Sequence, residues 1–98
     1  MRAIVAKRVE RGDADLSEIR ELARAAGYEV VGELTQTREE DAAYAFGEGK
    51  VDELAALAVE TDADAVIVDN RLGPYQTYNI GGKLAESVEV VDRFTLIL

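Results

Sequence analysis

Apolar residues occur along the chain as short unbroken runs that alternate with helical stripes, and this pattern predicts the fold. The run Ala65–Val68, with the sequence AVIV, has no polar position. Such a run is typical of a strand covered on both faces of a parallel sheet, so we predict that it is the central strand. Three further strands are predicted at residues 3–9, 28–35 and 88–91. The second lies at the sheet edge, since Gly32 weakens it.

The segments between these strands predict helices. The first has a stripe of apolar residues at helical spacing, formed by Leu16, Ile19, Leu22, Ala23 and Ala26. Asp15 and Glu18, three positions apart at the start of this helix, form a capping-box pattern. Residues 51–61 carry a second stripe, and Pro74 begins a third helix over about residues 75–84. The βαβαβαβ order predicts an α/β domain, with a four-stranded parallel sheet of order 2-1-3-4 and helices on both faces.

The connection formed by residues 36–49 has no regular apolar period. A connection of this length in a small domain is typical of a functional or mobile segment. Its end resembles an anion-binding turn, because Gly47 and Gly49 would let backbone N–H groups approach a phosphate and Lys50 would add a cation. The turn lacks the serine or threonine that a P-loop requires after the lysine, since Val51 follows. A simple helix-capping turn is the alternative.

Polar residues follow two strands that are predicted to be neighbours. Asp69 and Asn70 follow the central strand, and Asp92 and Arg93 follow the fourth. The carboxyl ends of parallel strands are where open α/β sheets bind ligands. A paired-carboxylate or magnesium site is one interpretation. The other is that both acids cap the next segment and are neutralised by nearby arginines, of which Arg71 is one.

The predicted third helix carries two polar residues on one face, Gln76 and Asn79, which are three positions apart. They either bind a ligand or partner or are simply solvated. Four aromatic residues form a candidate surface for stacking on bases: Tyr44, Phe46, Tyr75 and Tyr78. Aromatic residues more often lie in the core, and we expect two of the four there.

Composition excludes several classes of function. The 98 residues suit one domain, and the absence of cysteine and histidine excludes disulfides, the usual zinc sites and histidine-based catalysis. The net charge of −9, with only three lysines, argues against attraction to phosphate backbones. The charge has two interpretations: a simple soluble acidic domain, or a halophilic source such as an archaeon, where salt would screen the charge so that it no longer argues against an RNA partner. No apolar run is long enough to span a membrane, so the chain is predicted to be cytoplasmic. No residues suggest catalysis.

Several segments together resemble the N-terminal domain of HflX-type GTPases. Residues 44–54, YAFGEGKVDEL, are similar to that family's glycine-lysine-glutamate-leucine segment. Residues 69–79 resemble its acid-rich strand end, followed by leucine, proline, glutamine and asparagine, and Gln36 fits its glutamine after the second strand. The tail at residues 91–98 resembles the family's entry into a long helix. In the family's order, these motifs cover the chain from about Gly27 to its end.

The resemblance implies a small parallel α/β domain followed by a helical hairpin and a G domain, with residues 94–98 starting the linker helix. It implies a parent GTPase that needs GTP and magnesium, whereas this segment has no cofactor and hydrolyses no GTP. The implied partners are the large ribosomal subunit, with its rRNA and proteins, and the parent's own helical and G domains. The candidate contact residues are Gly47, Gly49, Lys50, Asp69, Asn70, Pro74, Gln76, Asn79 and Arg93.

A second hypothesis comes from a different class of function. In it, the chain is a stand-alone α/β domain that binds a nucleotide or another small anion at the carboxyl edge of the sheet. The apolar side chains at residues 94–98 would then need to be buried against another surface, and a dimer formed through this tail would bury them.

Overall fold

A computed structural model describes residues 1–97 and confirms the predicted architecture. In chain order, the elements are β1 (Arg2–Val9), α1 (Ser17–Ala25), β2 (Glu29–Thr37), α2 (Glu48–Glu60), β3 (Ala65–Val68), α3 (Pro74–Lys83), β4 (Glu89–Asp92) and α4 (Arg93–Ile97). The strands form one sheet in the order β2-β1-β3-β4, and all three neighbouring pairs are parallel.

The predicted central strand is buried on both faces, as its continuous apolar sequence requires. All four residues of β3 are fully buried, and β1 pairs with it from Ala3 opposite Ala65 to Ala6 opposite Val68. Alternate side chains point to opposite faces of a strand. One set packs with α2 and α3, around the buried Phe46. The other set packs with α1 and with Leu96 of α4, so helices cover both faces.

Two predicted boundaries were wrong at the ends of the long connection. β2 continues to Thr37, because its pairing with β1 extends to Val9. α2 begins at Glu48 rather than Val51. The connection is therefore shorter than predicted, and the turn that contains Gly49 is the first turn of the helix.

The predicted capping box before α1 was also wrong. The Asp15 carboxylate accepts hydrogen bonds from the Ser17 backbone N–H at 2.9 Å and from the Ser17 hydroxyl at 2.7 Å. These two donors lower the pKa of Asp15 below its usual value. Glu18 does not turn back to the backbone, because it pairs with Arg93 at 2.5 Å. A long-range ion pair thus replaces the local hydrogen bond.

The end of the described chain is helical. Residues 93–97 form α4, in agreement with the resemblance to a segment that enters a helix. Leu98, the last residue of the predicted tail, lies outside the described residues. That α4 starts a linker to further domains remains a prediction. Within residues 1–97, no helix is both long and apolar enough to cross a membrane.

Candidate functional site

The carboxyl edge of the sheet is organised around the buried carboxylate of Asp69. Its side chain is only 2% exposed and has two cations beside it. Lys7 Nζ lies 3.2 Å from Oδ2, and Arg93 donates to Oδ1 at 2.9 Å. Arg93 also donates a hydrogen bond to Glu18 of α1. This bond is the largest cause that raises the pKa of the guanidinium, and the negative charge of Asp69 is the second. Asp69 therefore joins β1, β3 and α4 through ion pairs, although its buried Oδ2 accepts no hydrogen bond within residues 1–97.

Asn70 extends the sheet with its side chain. Its Oδ1 accepts the Arg8 backbone N–H at 2.8 Å, and its Nδ2 donates to the Arg8 carbonyl at 2.9 Å. The amide thus satisfies both backbone groups of a β1 residue, as a further strand residue would. Asn70 therefore has a structural role at this edge of the sheet.

Asp92 stabilises the two segments that meet beside it. It accepts the Leu72 backbone N–H at 3.1 Å and the Thr95 backbone N–H at 2.9 Å. Burial acts to raise the pKa of Asp92, but these hydrogen bonds outweigh it and the pKa lies below its usual value. Residues 1–97 contain no group of three acidic side chains placed to hold a metal ion. Asp92 thus caps the neighbouring segments, as one interpretation predicted, whereas Asp69 is neutralised by Lys7 and Arg93 and does not act as a cap.

Gln76 and Asn79 share a face of α3, as predicted, and this face is turned toward the connection before α2. Gln76 is buried, and its Nε2 donates to Glu40 at 2.6 Å and to the Asp41 carbonyl at 3.2 Å. Asn79 Nδ2 donates to the Ala43 carbonyl at 2.9 Å. The two amides therefore hold the connection against α3.

The connection is also ordered from within. The Asp41 carboxylate accepts the backbone N–H groups of Ala43 at 2.8 Å and Tyr44 at 2.9 Å. Ala45 has a φ of 66° and is buried. A non-glycine residue in this left-handed region is held there by its surroundings. These contacts give the connection a defined conformation within the fold.

The glycine turn caps a helix and leaves little room for an anion. The Gly47 N–H donates to Gln36 Oε1 at 2.8 Å, so this group is already satisfied. A Cβ at Gly47 would lie 2.6 Å from the Arg38 guanidinium, which packs over the turn. Gly49 faces open space, and Lys50 pairs with Glu53 at 3.0 Å. The capping interpretation fits this arrangement better than phosphate binding.

Two open grooves flank α3. The first, of about 750 Å³, lies at its N-terminal end and includes Pro74, Gln76 and Asp92 in its lining. Arg71 also lines it, with its guanidinium 4.3 Å from the centre of the Phe94 ring. The second groove has a volume of about 630 Å³ and is lined by Tyr44, Thr77, Tyr78, Asn79, Gly81, Gly82 and Lys83.

The aromatic residues divide as the sequence predicted. Phe46 is fully buried and Tyr44 is partly buried against the core. Tyr75 and Tyr78 are 67% and 80% exposed, respectively. Both tyrosines belong to the candidate stacking surface named from the sequence, although neither they nor Arg71 were among the predicted ribosome-contact residues. Sequence offered one signal for the tyrosines, which is their spacing of three positions on one helix face.

The family comparison accounts for nearly the whole chain. A family model described as "GTP-binding GTPase N-terminal" matches residues 13–98. Proteins named GTPase HflX are 43% identical over 99 residues in Thermococcus kodakarensis and 46% identical over 97 residues in Thermofilum pendens. These alignments cover 100% and 97% of this chain. The chain spans about a fifth of each relative's length, 22% in both.

Solved structures share the fold at low sequence identity. A crystal structure of SsGBP in complex with GDP has a TM-score of 0.75 and 16% identity, covering 99% of this chain and 28% of that one. A GTP-binding protein from Sulfolobus solfataricus in complex with GDP has a TM-score of 0.68 and 18% identity, covering 96% and 28%. Because the family model matches residues 13–98 and the HflX relatives align with nearly the whole chain, the chain belongs to the GTP-binding GTPase N-terminal family and is an N-terminal domain of the HflX type.

Proposed function

We propose that this chain is the docking and regulatory domain of an HflX-type GTPase that acts on the large ribosomal subunit in the cytoplasm. The observation that carries the proposal is its family membership, together with relatives named GTPase HflX of which it spans about a fifth. In this proposal, GTP and magnesium belong to the G domain of the parent. The 98 residues themselves contain no P-loop motif, so this domain contributes binding rather than hydrolysis.

The candidate contact residues take two roles in this proposal. Asp69, Asn70, Gln76 and Asn79 make hydrogen bonds or ion pairs within the domain, so they shape the docking surface rather than touch the ribosome. Pro74 is exposed at the start of α3 and is available for contact. Direct contact is therefore assigned to the outer side of α3 and the two grooves beside it.

A second group of candidates lies at the N-terminal end of α2. Gly47 is buried by its neighbours, whereas Gly49 is exposed and Lys50 keeps part of its side chain accessible. Lys83 connects this turn to α3 through Glu48 at 2.9 Å. We assign Gly49 and Lys50 to the margin of the same docking surface.

The regulatory part of the proposal rests on Arg93, the first residue of α4. Its guanidinium binds the buried Asp69 at 2.9 Å and Glu18 of α1 at 2.5 Å. The direction in which α4 leaves the sheet is thus fixed by ion pairs to two other elements. If α4 continues toward the helical and G domains of the parent, the effect of docking can be transmitted to those domains, because the helix is firmly anchored to the sheet.

The test compares the parent protein with a variant that lacks residues 1–97. Co-sedimentation with purified large subunits in the presence of a non-hydrolysable GTP analogue measures docking, and GTP hydrolysis without ribosomes reports the integrity of the G domain. We expect the deletion to weaken docking at least tenfold while GTP hydrolysis remains measurable. Equal docking by the two proteins would reject the proposal.

The groove at the N-terminal end of α3 supports the second candidate, nucleotide binding at the carboxyl edge. It is of suitable size and includes Arg71, but Glu40 and Asp92 also line it and would repel a polyphosphate. Thermal unfolding of the 98-residue chain with adenine or guanine nucleotides tests this candidate. A ligand at 100 times its dissociation constant should add about 2.7 kcal/mol of stability. If no nucleotide stabilises the chain, nucleotide binding at those concentrations is excluded.

A further inference from the structure

We infer that the outer face of α3 binds an unpaired RNA base by stacking. This inference rests on the proposed ribosome docking and specifies the chemistry of the contact. This stacking face consists of Tyr75, Tyr78 and the groove beside Tyr78 that reaches Gly81 and Gly82. Its partner is a single-stranded or looped-out segment of RNA. Base contact, rather than attraction to phosphates, provides the affinity.

The two tyrosines provide the aromatic surface. Tyr75 and Tyr78 are 67% and 80% exposed and lie on one side of α3, three positions apart. Bases stack on exposed aromatic rings with little preference for sequence, because every base has a π face. The rings can therefore take up bases without rearranging the core.

The distribution of charge makes this face suitable for a polyanion. Among the 20 acidic residues of the chain, none lies between Asp69 and Glu86, so α3 carries no carboxylate. The groove beside Tyr78 is likewise lined by no acidic residue of the part that the structure describes. Elsewhere the net charge of −9 would repel phosphates. The stacking face itself carries no carboxylate, and the nearby Glu48 and Asp52 are paired with Lys83 at the end of the groove.

The face nevertheless offers few cations, which is why bases must supply the affinity. Lys83, at the end of the groove, lies 2.9 Å from both Glu48 and Asp52, and hydrogen bonds to these acids raise its pKa. Its charge is thus largely neutralised locally. Arg71 has no carboxylate within salt-bridge distance in residues 1–97, but it lies over Phe94 at the other groove.

The adjacent glycines favour a flat ligand over a protein helix. A Cβ at Gly81 or Gly82 would meet nothing within 4 Å, and neither residue has a positive φ. Glycine is a poor helix former, and neither packing nor backbone conformation explains two of them here. Bare backbone lets a planar group approach closely. The groove also lacks any aliphatic side chain, which a docked amphipathic helix would need.

The first experiment measures binding of the 98-residue chain to a labelled single-stranded oligoribonucleotide by fluorescence anisotropy, with a blunt duplex of the same sequence as a control. We expect the single strand to bind at least tenfold more tightly. The double variant Tyr75→Ala/Tyr78→Ala should weaken single-strand binding at least tenfold, whereas Tyr75→Phe/Tyr78→Phe should stay within threefold because the rings remain. The matched control is Val59→Ala, an exposed apolar residue of α2.

The glycines give a test that separates binding from stability. Gly81→Ala and Gly82→Ala should raise the melting temperature, because alanine favours the helix. The same substitutions should weaken RNA binding severalfold by placing methyl groups on the stacking face. Unchanged RNA binding by both variants would contradict a close approach of the base. A shallow dependence on salt is also expected, since few phosphate charges are neutralised.

The decisive comparison uses the parent protein on large ribosomal subunits. The alanine double variant should dock at least tenfold more weakly than the phenylalanine double variant. If the deletion of residues 1–97 abolishes docking while the alanine variant docks normally, the stacking face is wrong and the proposed function stands. If the deletion itself has no effect, the proposed function fails first. Weak docking by both double variants would assign the contact to the hydroxyl groups instead of the rings and would overturn the inference.

Discussion

The carboxylate of Asp69 should contribute more to stability than any surface ion pair of this domain. Asp69→Asn keeps the size of the side chain and removes its charge, which leaves Lys7 and Arg93 without their buried counter-ion. Hydrogen bonds to charged groups contribute about 1.5–3 kcal/mol. We expect a loss near the middle of that range, about 2 kcal/mol, because the two cations are 26% and 27% exposed and can regain water.

A loss of about 2 kcal/mol corresponds to a fall in melting temperature of roughly 8–16 °C for a domain of this size. Urea unfolding followed by circular dichroism gives the free energy directly. A double-mutant cycle of Asp69→Asn with Arg93→Ala isolates the pair, and we expect a coupling energy clearly larger than that of a surface ion pair. The matched control pairs Arg20 with Glu33 on the surface, where the expected coupling is about 0–0.5 kcal/mol. Equal coupling in both pairs would refute this reasoning.

Three further substitutions test the remaining parts of the site. Gln76→Ala removes the donor to Glu40 and should cost about 1–3 kcal/mol in the same unfolding assay; no loss would mean that water replaces the amide. Asp92→Asn should be less stable than the wild type at pH 7. This difference in the free energy of unfolding should shrink as pH falls below 3.8, because a carboxyl group with a lowered pKa stabilises the fold only while it is ionised. A pH-independent difference would assign the effect to packing. Gly47→Ala must displace only the end of the flexible Arg38 side chain and should cost less than about 1 kcal/mol in the same assay; a larger loss would show that the guanidinium is held firmly over the turn.

The predictions from sequence succeeded where a local pattern has one physical outcome. An apolar run of β-branched residues predicted β3 at its observed bounds. Pro74 marked the start of α3, because proline is suited to the first turn of a helix. The same local reasoning failed for Glu18, whose partner lies 75 positions away at Arg93. A capping pattern contains no information about a competing long-range charge.

For two candidate residues, the sequence predicted the shared helix face but not the groups that this face contacts. Gln76 and Asn79 were correctly placed on one face, since helical periodicity fixes that relation. What they face could not be predicted, because the connection at residues 38–46 has no periodic pattern. Tertiary packing brings its carbonyl groups against α3, where both amides bind them. Residues proposed for external contact therefore have internal partners.

The sequence by itself determined the βαβαβαβ order, the double-sided burial of the sheet and the membership of the family, because each depends on local periodicity or on motifs. Only the tertiary structure decided which polar groups remain available. Asp69 is buried between two cations, whereas Tyr75 and Tyr78 project from α3 into solvent. The physical reason is that charge pairing and exposure depend on neighbours distant in the chain, and the sheet brings those neighbours together only when it forms.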